Sequence, residues 1–189
     1  YASGRWQLFG TPALVFHISG GTTDLLLCNG VTVQQTLGTS LDLYAGQAVD
    51  RIGVKLGFPF PAGEHLSRLA AECPQQPRVK AVLKGMNCHL SGLENQCSAL
   101  LDKGYPPAYV AKYCLCTVGE TVFRMVEAAY AAGFRLPVVC AGGVMSSQIV
   151  RDYVTARLRD VCFVPGQFAS DNAIGVAIIA AKEVGAWPM

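Results

Sequence analysis

Leu14-Val15-Phe16 and Leu25-Leu26-Leu27-Cys28 are continuous apolar runs, with the polar, glycine-rich Ser19-Gly20-Gly21-Thr22-Thr23 between them. Short apolar runs bounded by turn residues suit buried strands. Val31 to Leu37 alternates roughly and predicts a third strand, completing a β-meander. From 38 to 58, Leu41, Tyr44, Ala45, Ala48, Val49, Ile52 and Leu56 recur at three- and four-residue steps. That spacing predicts an amphipathic helix, capped by Ser40 or Asp42 and ended by Gly57. Phe58 to Gly63 reads as a rigid turn and Glu64 to Cys73 as a second short helix. Residues 74 to 92 carry Pro74, Pro77, Gly85 and Gly92 and show no regular pattern. His89 to Leu93 reads as a turn opening a helix from Leu93 to Leu101. Pro106-Pro107 starts the longest helix, about 108 to 132, which ends at Gly133. Arg135 to Ala141 reads as a buried strand running into a second glycine turn, Ala141-Gly142-Gly143-Val144. A helix from Ser146 to Leu158, a strand from Asp160 to Val164 and a loop from Pro165 to Ser170 follow. Ser170 or Asp171 then caps a final helix reaching about Val184.

The predicted order is β-β-β-α-α, a helical insert at about 64–132, then β-α-β-α. A meander followed by βα units implies an α/β lobe, one unit over 1–189, with a mixed sheet and helices on both faces. Both glycine turns follow buried strands of that sheet, so both are expected to face one cleft. Strand, glycine turn, strand is how actin-like and sugar-kinase-like ATPases hold phosphates: backbone N–H groups and short hydroxyls face the anion. An ordinary hairpin turn has the same local pattern.

Composition narrows the class. The chain is 51% hydrophobic and 15% charged over 189 residues, which is globular rather than disordered. A net charge of +2 gives no general drive toward nucleic acid. No apolar run reaches the roughly 18 residues that cross a membrane, and no signal peptide is visible. None of the eight cysteines has C-x-x-C spacing, and several lie in apolar runs. They read as reduced, buried small hydrophobes of a cytoplasmic protein. The chain begins at Tyr1 rather than Met, and reads as a fragment, an expressed domain or a processed protein.

Six segments carry a family resemblance in register. They are Ser19-Gly20-Gly21-Thr22-Thr23, the helix Asp42 to Arg51, Phe60-Pro61-Ala62-Gly63, Leu90-Ser91-Gly92-Leu93, Ala141 to Ser147, and Ser170-Asp171-Asn172. The chain resembles the C-terminal half of the tRNA threonylcarbamoyladenosine transferase family, long known as O-sialoglycoprotein endopeptidases or glycoproteases, with an actin-like ATPase (ribonuclease H-like) fold. The resemblance implies that Ser19, Gly20, Gly21, Thr22 and Thr23 wrap the phosphates of ATP or of an adenylate. It implies that Asp50 contacts the ribose, that Gly63 lies close to the nucleotide, and that Gly142 and Gly143 pass beneath it. Ser147 stands where the family has an adenylate-contacting Asn, and Asp171 is implied as a ligand of a divalent metal of the iron or zinc type. By themselves, Asp50 reads as a solvated helix residue and Asp171 as an N-cap.

The departures from the family pattern matter as much. The family's two metal-binding histidines lie on an H-x-x-x-H helix in its N-terminal half; His17, His65 and His89 are not so spaced. Asp171 alone cannot hold a metal. Thr22 replaces the loop histidine, Leu43 the second Asp, Gln47 a Glu and Ser147 an Asn. Three functions compete. With an N-terminal lobe and its metal, the protein transfers threonylcarbamoyl to tRNA adenosine alongside other threonylcarbamoyladenosine-synthesis proteins, the isolated chain being inactive. Alternatively the lobe is a non-catalytic module that dimerises with itself or a paralogue. A metallopeptidase ranks last, for want of H-E-x-x-H. A mean hydropathy of +0.33 favours an apolar association surface. Its candidate sites are the helix through Tyr44, Val49 and Ile52 and the long helix through Tyr113, Val118, Phe123 and Val126, the alternative being that both helices are simply core.

Overall fold

In a computed structural model, residues 10–169 and 173–186 are described. Three antiparallel strands open the lobe: β1 (Pro12–Ile18), β2 (Thr23–Asn29) and β3 (Thr32–Thr39). β6 (Val138–Ala141) adds to β1 in parallel, and β7 (Val161–Phe163) adds to β6 in parallel. The sheet order β3-β2-β1-β6-β7 is the expected mixed sheet. Period-two alternation drives one face of β1 inward: Leu14, Phe16 and Ile18 are fully buried. They pack with Leu25, Val138 and Cys140 against the helices.

The helices are α1 (Ala45–Lys55), α2 (Gly63–Ala71), α3 (Ser91–Asp102), α4 (Pro107–Ala131), α5 (Gln148–Thr155) and α6 (Ala173–Glu183). α4 starts with proline in its first turn and runs 25 residues. It is the central strut of the helical layer, burying Val110, Leu115, Val118, Val122, Met125 and Val126. Two polar links hold neighbours to it. Lys112 Nζ donates to the Cys73 carbonyl just past α2. Glu120 accepts from Arg124 Nε at 2.7 Å and from Tyr153 Oη of α5 at 3.0 Å. Burial, then that bond, pushes the Tyr153 hydroxyl up to about 12. All eight cysteines are free, six of them buried.

The structure corrects several expectations. Residues 74–92 contain a hairpin, β4 (Val82–Lys84) and β5 (Asn87–His89), so the insert is not purely helical. The first helix begins at Ala45, and neither Ser40 nor Asp42 caps it. Its first N–H is taken by the Thr23 hydroxyl, 2.8 Å away, from the far end of the Ser19–Thr23 stretch. Val49, Ile52, Val118 and Val126, expected on an association surface, are core residues at 0–3% exposure, with Tyr44, Tyr113 and Phe123 half-buried. Their apolar spacing reflects packing under the sheet. The Ser170 or Asp171 cap lies outside the described residues.

Candidate nucleotide cleft

β1 and β6 are parallel neighbours, so the turns that follow them open on the same edge of the sheet. A cleft of about 520 Å³ lies there. Ser19, Gly20, Asp50, Gly63, Gly143 and Ser147, six of the candidate site residues, line it. It sits at the carboxyl ends of parallel strands, where open α/β sheets bind ligands.

Each wall has a local cause. The first turn is closed by Ser19 N–H donating to the Thr22 carbonyl at 3.0 Å, with Gly21 N–H on Ser19 Oγ at 3.2 Å. α1 then abuts this turn. Gly46 N–H donates to the Ser19 carbonyl at 3.2 Å, and a Cβ on Gly46 would lie 2.4 Å from that oxygen. The second turn passes so close to β1 that a Cβ on Gly142 would lie 2.1 Å from the Ile18 carbonyl oxygen. Its φ of +100° also excludes most other residues. Arg151 braces this turn from α5, donating Nε to the Met145 carbonyl at 2.9 Å and a terminal nitrogen to the Val164 carbonyl at 2.8 Å.

Asp50 Oδ1 accepts the Ala62 N–H at 2.8 Å, which fixes the turn containing the cis Phe60–Pro61 bond against α1. Ser147 Oγ lies 2.8 Å from Ser67 Oγ of α2, closing the floor. His65 lines the cleft with its ring stacked on Phe58, centroids 5.4 Å apart.

The predicted residues therefore divide by role. Gly142, Thr22 and Thr23 shape the turns without lining the cleft, and Gly21 is an exposed turn residue. Gly20, Gly63 and Gly143 do line it, and a Cβ there meets no protein atom closer than 3.7 Å. The fold leaves that space open. Sequence reasoning missed Gly46, His65, Ser67 and Gly166. Of these only Gly46 carried a signal, a glycine inside an amphipathic helix.

Asp42, quoted as a motif residue, does different work. Its Oδ1 accepts N–H from Leu43 at 2.6 Å, Leu90 at 2.8 Å and Ser91 at 3.3 Å, and Oδ2 accepts the Ser91 hydroxyl at 2.6 Å. It caps α3 from outside the helix. Partial burial alone would raise its carboxyl, but the bonds from the Ser91 hydroxyl and the Leu90, Leu43 and Ser91 N–H groups outweigh that. They hold it well below the usual carboxylate range.

The sequence model of the tRNA N6-adenosine threonylcarbamoyltransferase family matches residues 2–178. The chain belongs to that family. Among its relatives, the tRNA N6-adenosine threonylcarbamoyltransferase of Anaeromyxobacter dehalogenans is 34% identical over 181 residues, covering 88% of this chain and 54% of that protein. The one from Thermus thermophilus is 30% identical over 173 residues, covering 89% and 53%. The chain thus spans about half the length of the curated relatives it matches. Full-length HypF in its phosphate- and nucleotide-bound form superposes with a TM-score of 0.72 at 14% identity, over 99% of this chain and 36% of that one. Component A of the Acidaminococcus fermentans (R)-2-hydroxyglutaryl-CoA dehydratase superposes at 0.68 with 19% identity, over 97% and 66%. These likenesses establish the actin-like ATPase fold.

The metal implied by the resemblance finds no home in what is described. Among the described residues no three His, Cys, Asp or Glu side chains come together as a metal site, and Asp171 lies outside them. The described residues do not fit such an ion. Among them, no helix is long and apolar enough to cross a membrane.

Proposed function

We propose that this chain is the nucleotide-facing lobe of a threonylcarbamoyl transferase. ATP or threonylcarbamoyl-adenylate occupies the 520 Å³ cleft, and the whole protein, with a second lobe, passes the threonylcarbamoyl group to adenosine of tRNA. The observation that carries this is that Gly20, Gly63 and Gly143 line a cleft at the strand ends where no protein atom needs the space. The Gly20 N–H and the Ser19 hydroxyl face the phosphates, the Ser19 and Gly21 N–H groups being held within the turn. Asp50 gives one oxygen to Ala62 and keeps the other for ribose hydroxyls. Gly143 and Ser147 flank the adenylate. The chain's residues bind and orient the nucleotide. The acceptor tRNA and other proteins of threonylcarbamoyladenosine synthesis meet the whole protein.

Titration calorimetry with ATP tests this. The unmutated chain is expected to bind. Gly20→Val pushes a branched side chain into the phosphate path and weakens binding about tenfold or more, a loss of roughly 1.4 kcal/mol. Its melting temperature stays near the parent's, because nothing in the protein lies within 4 Å of the added Cβ. No ATP binding by the unmutated chain defeats the reading and leaves the dimerising module. That second reading draws on a neighbouring cleft of about 740 Å³, edged by Phe60 at 75% exposure and Val54 at 51%.

A further inference from the structure

A chain of three side chains runs from the sheet into the cleft wall. His17 Nδ1 of β1 lies 3.0 Å from Thr22 Oγ1, which lies 2.9 Å from Ser19 Oγ. Ser19 Oγ also accepts the Gly21 N–H at 3.2 Å, and Ser19 lines the cleft. We propose that His17 is a positioning residue of the anion turn, and that the proton on its Nδ1 decides what Ser19 offers to a bound phosphate. This rests on the cleft being a nucleotide site.

A hydroxyl has one proton to give and two lone pairs to accept with. When Nδ1 carries a proton, it donates to Thr22, and Thr22 donates to Ser19. Ser19 Oγ then accepts twice, from Thr22 and from Gly21, so its own O–H is free to point into the cleft at an anion. When Nδ1 is bare, the chain reverses. Thr22 donates to His17, Ser19 donates to Thr22, and Ser19 turns a lone pair toward the cleft, which an anion disfavours. Imidazolium permits only the first arrangement; neutral imidazole permits it as the Nδ1–H tautomer and excludes it as the Nε2–H tautomer. Anion binding therefore disfavours one neutral form, and by linkage it favours proton uptake.

Across β2 the register partner of His17 is Asp24, a carboxylate whose Oδ1 accepts the Thr39 hydroxyl of β3 at 2.7 Å. On β6 the register partner is Ala141, which does not titrate. In the cleft, Asp50, Glu64 and His65 also face the ligand. His65 is a second imidazole, so pH dependence of binding alone does not isolate His17.

The experiment is calorimetric titration of the chain with ADP at about pH 6 and about pH 8, either side of the usual imidazole range. It compares the parent with His17→Asn and Thr22→Val. Asn offers a hydrogen-bonding atom near the Nδ1 position but does not titrate. Val keeps the shape of Thr22 and breaks the chain. The titrations of ADP and His65 are common to all three proteins and cancel in the comparison. The parent's ratio of affinities, pH 6 over pH 8, is expected to exceed that of both variants by about three- to tenfold, the scale of one hydrogen bond gained or reversed. The NMR response of the His17 ring to ADP is also larger in the parent than in Thr22→Val. Equal ratios in all three proteins, with ADP bound, overturn the His17 role and leave the nucleotide site standing. No ADP binding by the parent at either pH overturns the nucleotide reading and this inference with it.

Discussion

Replacing Gly46 by alanine sets two rules of helix energetics against each other. In a helix interior, alanine is favoured over glycine by about 1 kcal/mol, so α1 by itself predicts a more stable protein. The contact at Gly46 predicts the reverse. The added Cβ would sit 2.4 Å from the Ser19 carbonyl oxygen and 2.6 Å from both the Ser19 carbonyl carbon and the Gly20 nitrogen. All three are backbone atoms, and no side-chain rotation relieves the overlap. Either α1 or the turn after β1 must move. Overpacking of this kind costs about 1–3 kcal/mol. The shift also breaks the 3.2 Å bond from Gly46 N–H to Ser19, worth about 1 kcal/mol. After the propensity gain is subtracted, Gly46→Ala destabilises by roughly 1–3 kcal/mol. For a chain of this length that lowers the melting temperature by about 3–9 °C. Circular dichroism melts and urea titrations measure it, with Gly143→Ala as control. That control adds a Cβ with nothing within 4 Å and shifts stability by no more than about 0.5 kcal/mol. A Gly46→Ala protein as stable as its parent, or more so, would refute the close approach of α1 to the turn after β1.

Two further outcomes follow from the site. The Asp42 carboxyl is depressed in the folded chain, so its contribution is complete above the unfolded value of about 3.9 and is lost as pH falls below it. The urea midpoint of the parent should therefore drop from pH 5 to pH 3 more steeply than that of Asp42→Asn, while at pH 7 the variant is weaker by about 1–3 kcal/mol; parallel curves would remove Asp42 as the α3 cap. The purified chain should show neither threonylcarbamoyl transfer to tRNA nor proteolysis, and metal-dependent turnover abolished by Asp171→Ala would contradict that.

Much of the fold was legible because local pattern carried it. The strands around Phe16 and Leu25 announced themselves as apolar runs, and α4 by its leading prolines and long apolar spacing. The hairpin of β4 and β5 did not. Each strand has three residues, too few to show alternation, and what pins them lies elsewhere in the chain. Asn87 Oδ1 takes the Thr39 N–H at 2.9 Å, and a Cβ on Gly38 would lie 2.1 Å from the Met86 carbonyl oxygen. Asp42 misled for a related reason. An acidic residue shortly before a helix reads as that helix's cap, but this one caps α3, and α1 takes its cap from Thr23. A capping bond depends on which N–H lies within 3 Å of an oxygen, and that distance is set by packing.

The sequence by itself determined the order of elements apart from the β4–β5 hairpin, the two glycine turns at strand ends and the family pattern that marks Ser19 to Thr23, Asp50 and Gly142-Gly143. These are properties of short stretches, where side-chain period and backbone freedom act within a few residues. Tertiary structure decided that the two turns share a cleft. That follows from the parallel pairing of Leu14 with Val138 and Phe16 with Cys140, more than a hundred residues apart. It also sorted the glycines, since Gly142 and Gly46 are required by neighbouring backbone while Gly20, Gly63 and Gly143 leave room for a ligand. Close approach between distant segments is a matter of atoms within 3 Å, and only the folded packing of β1, β6 and α1 brings those atoms together.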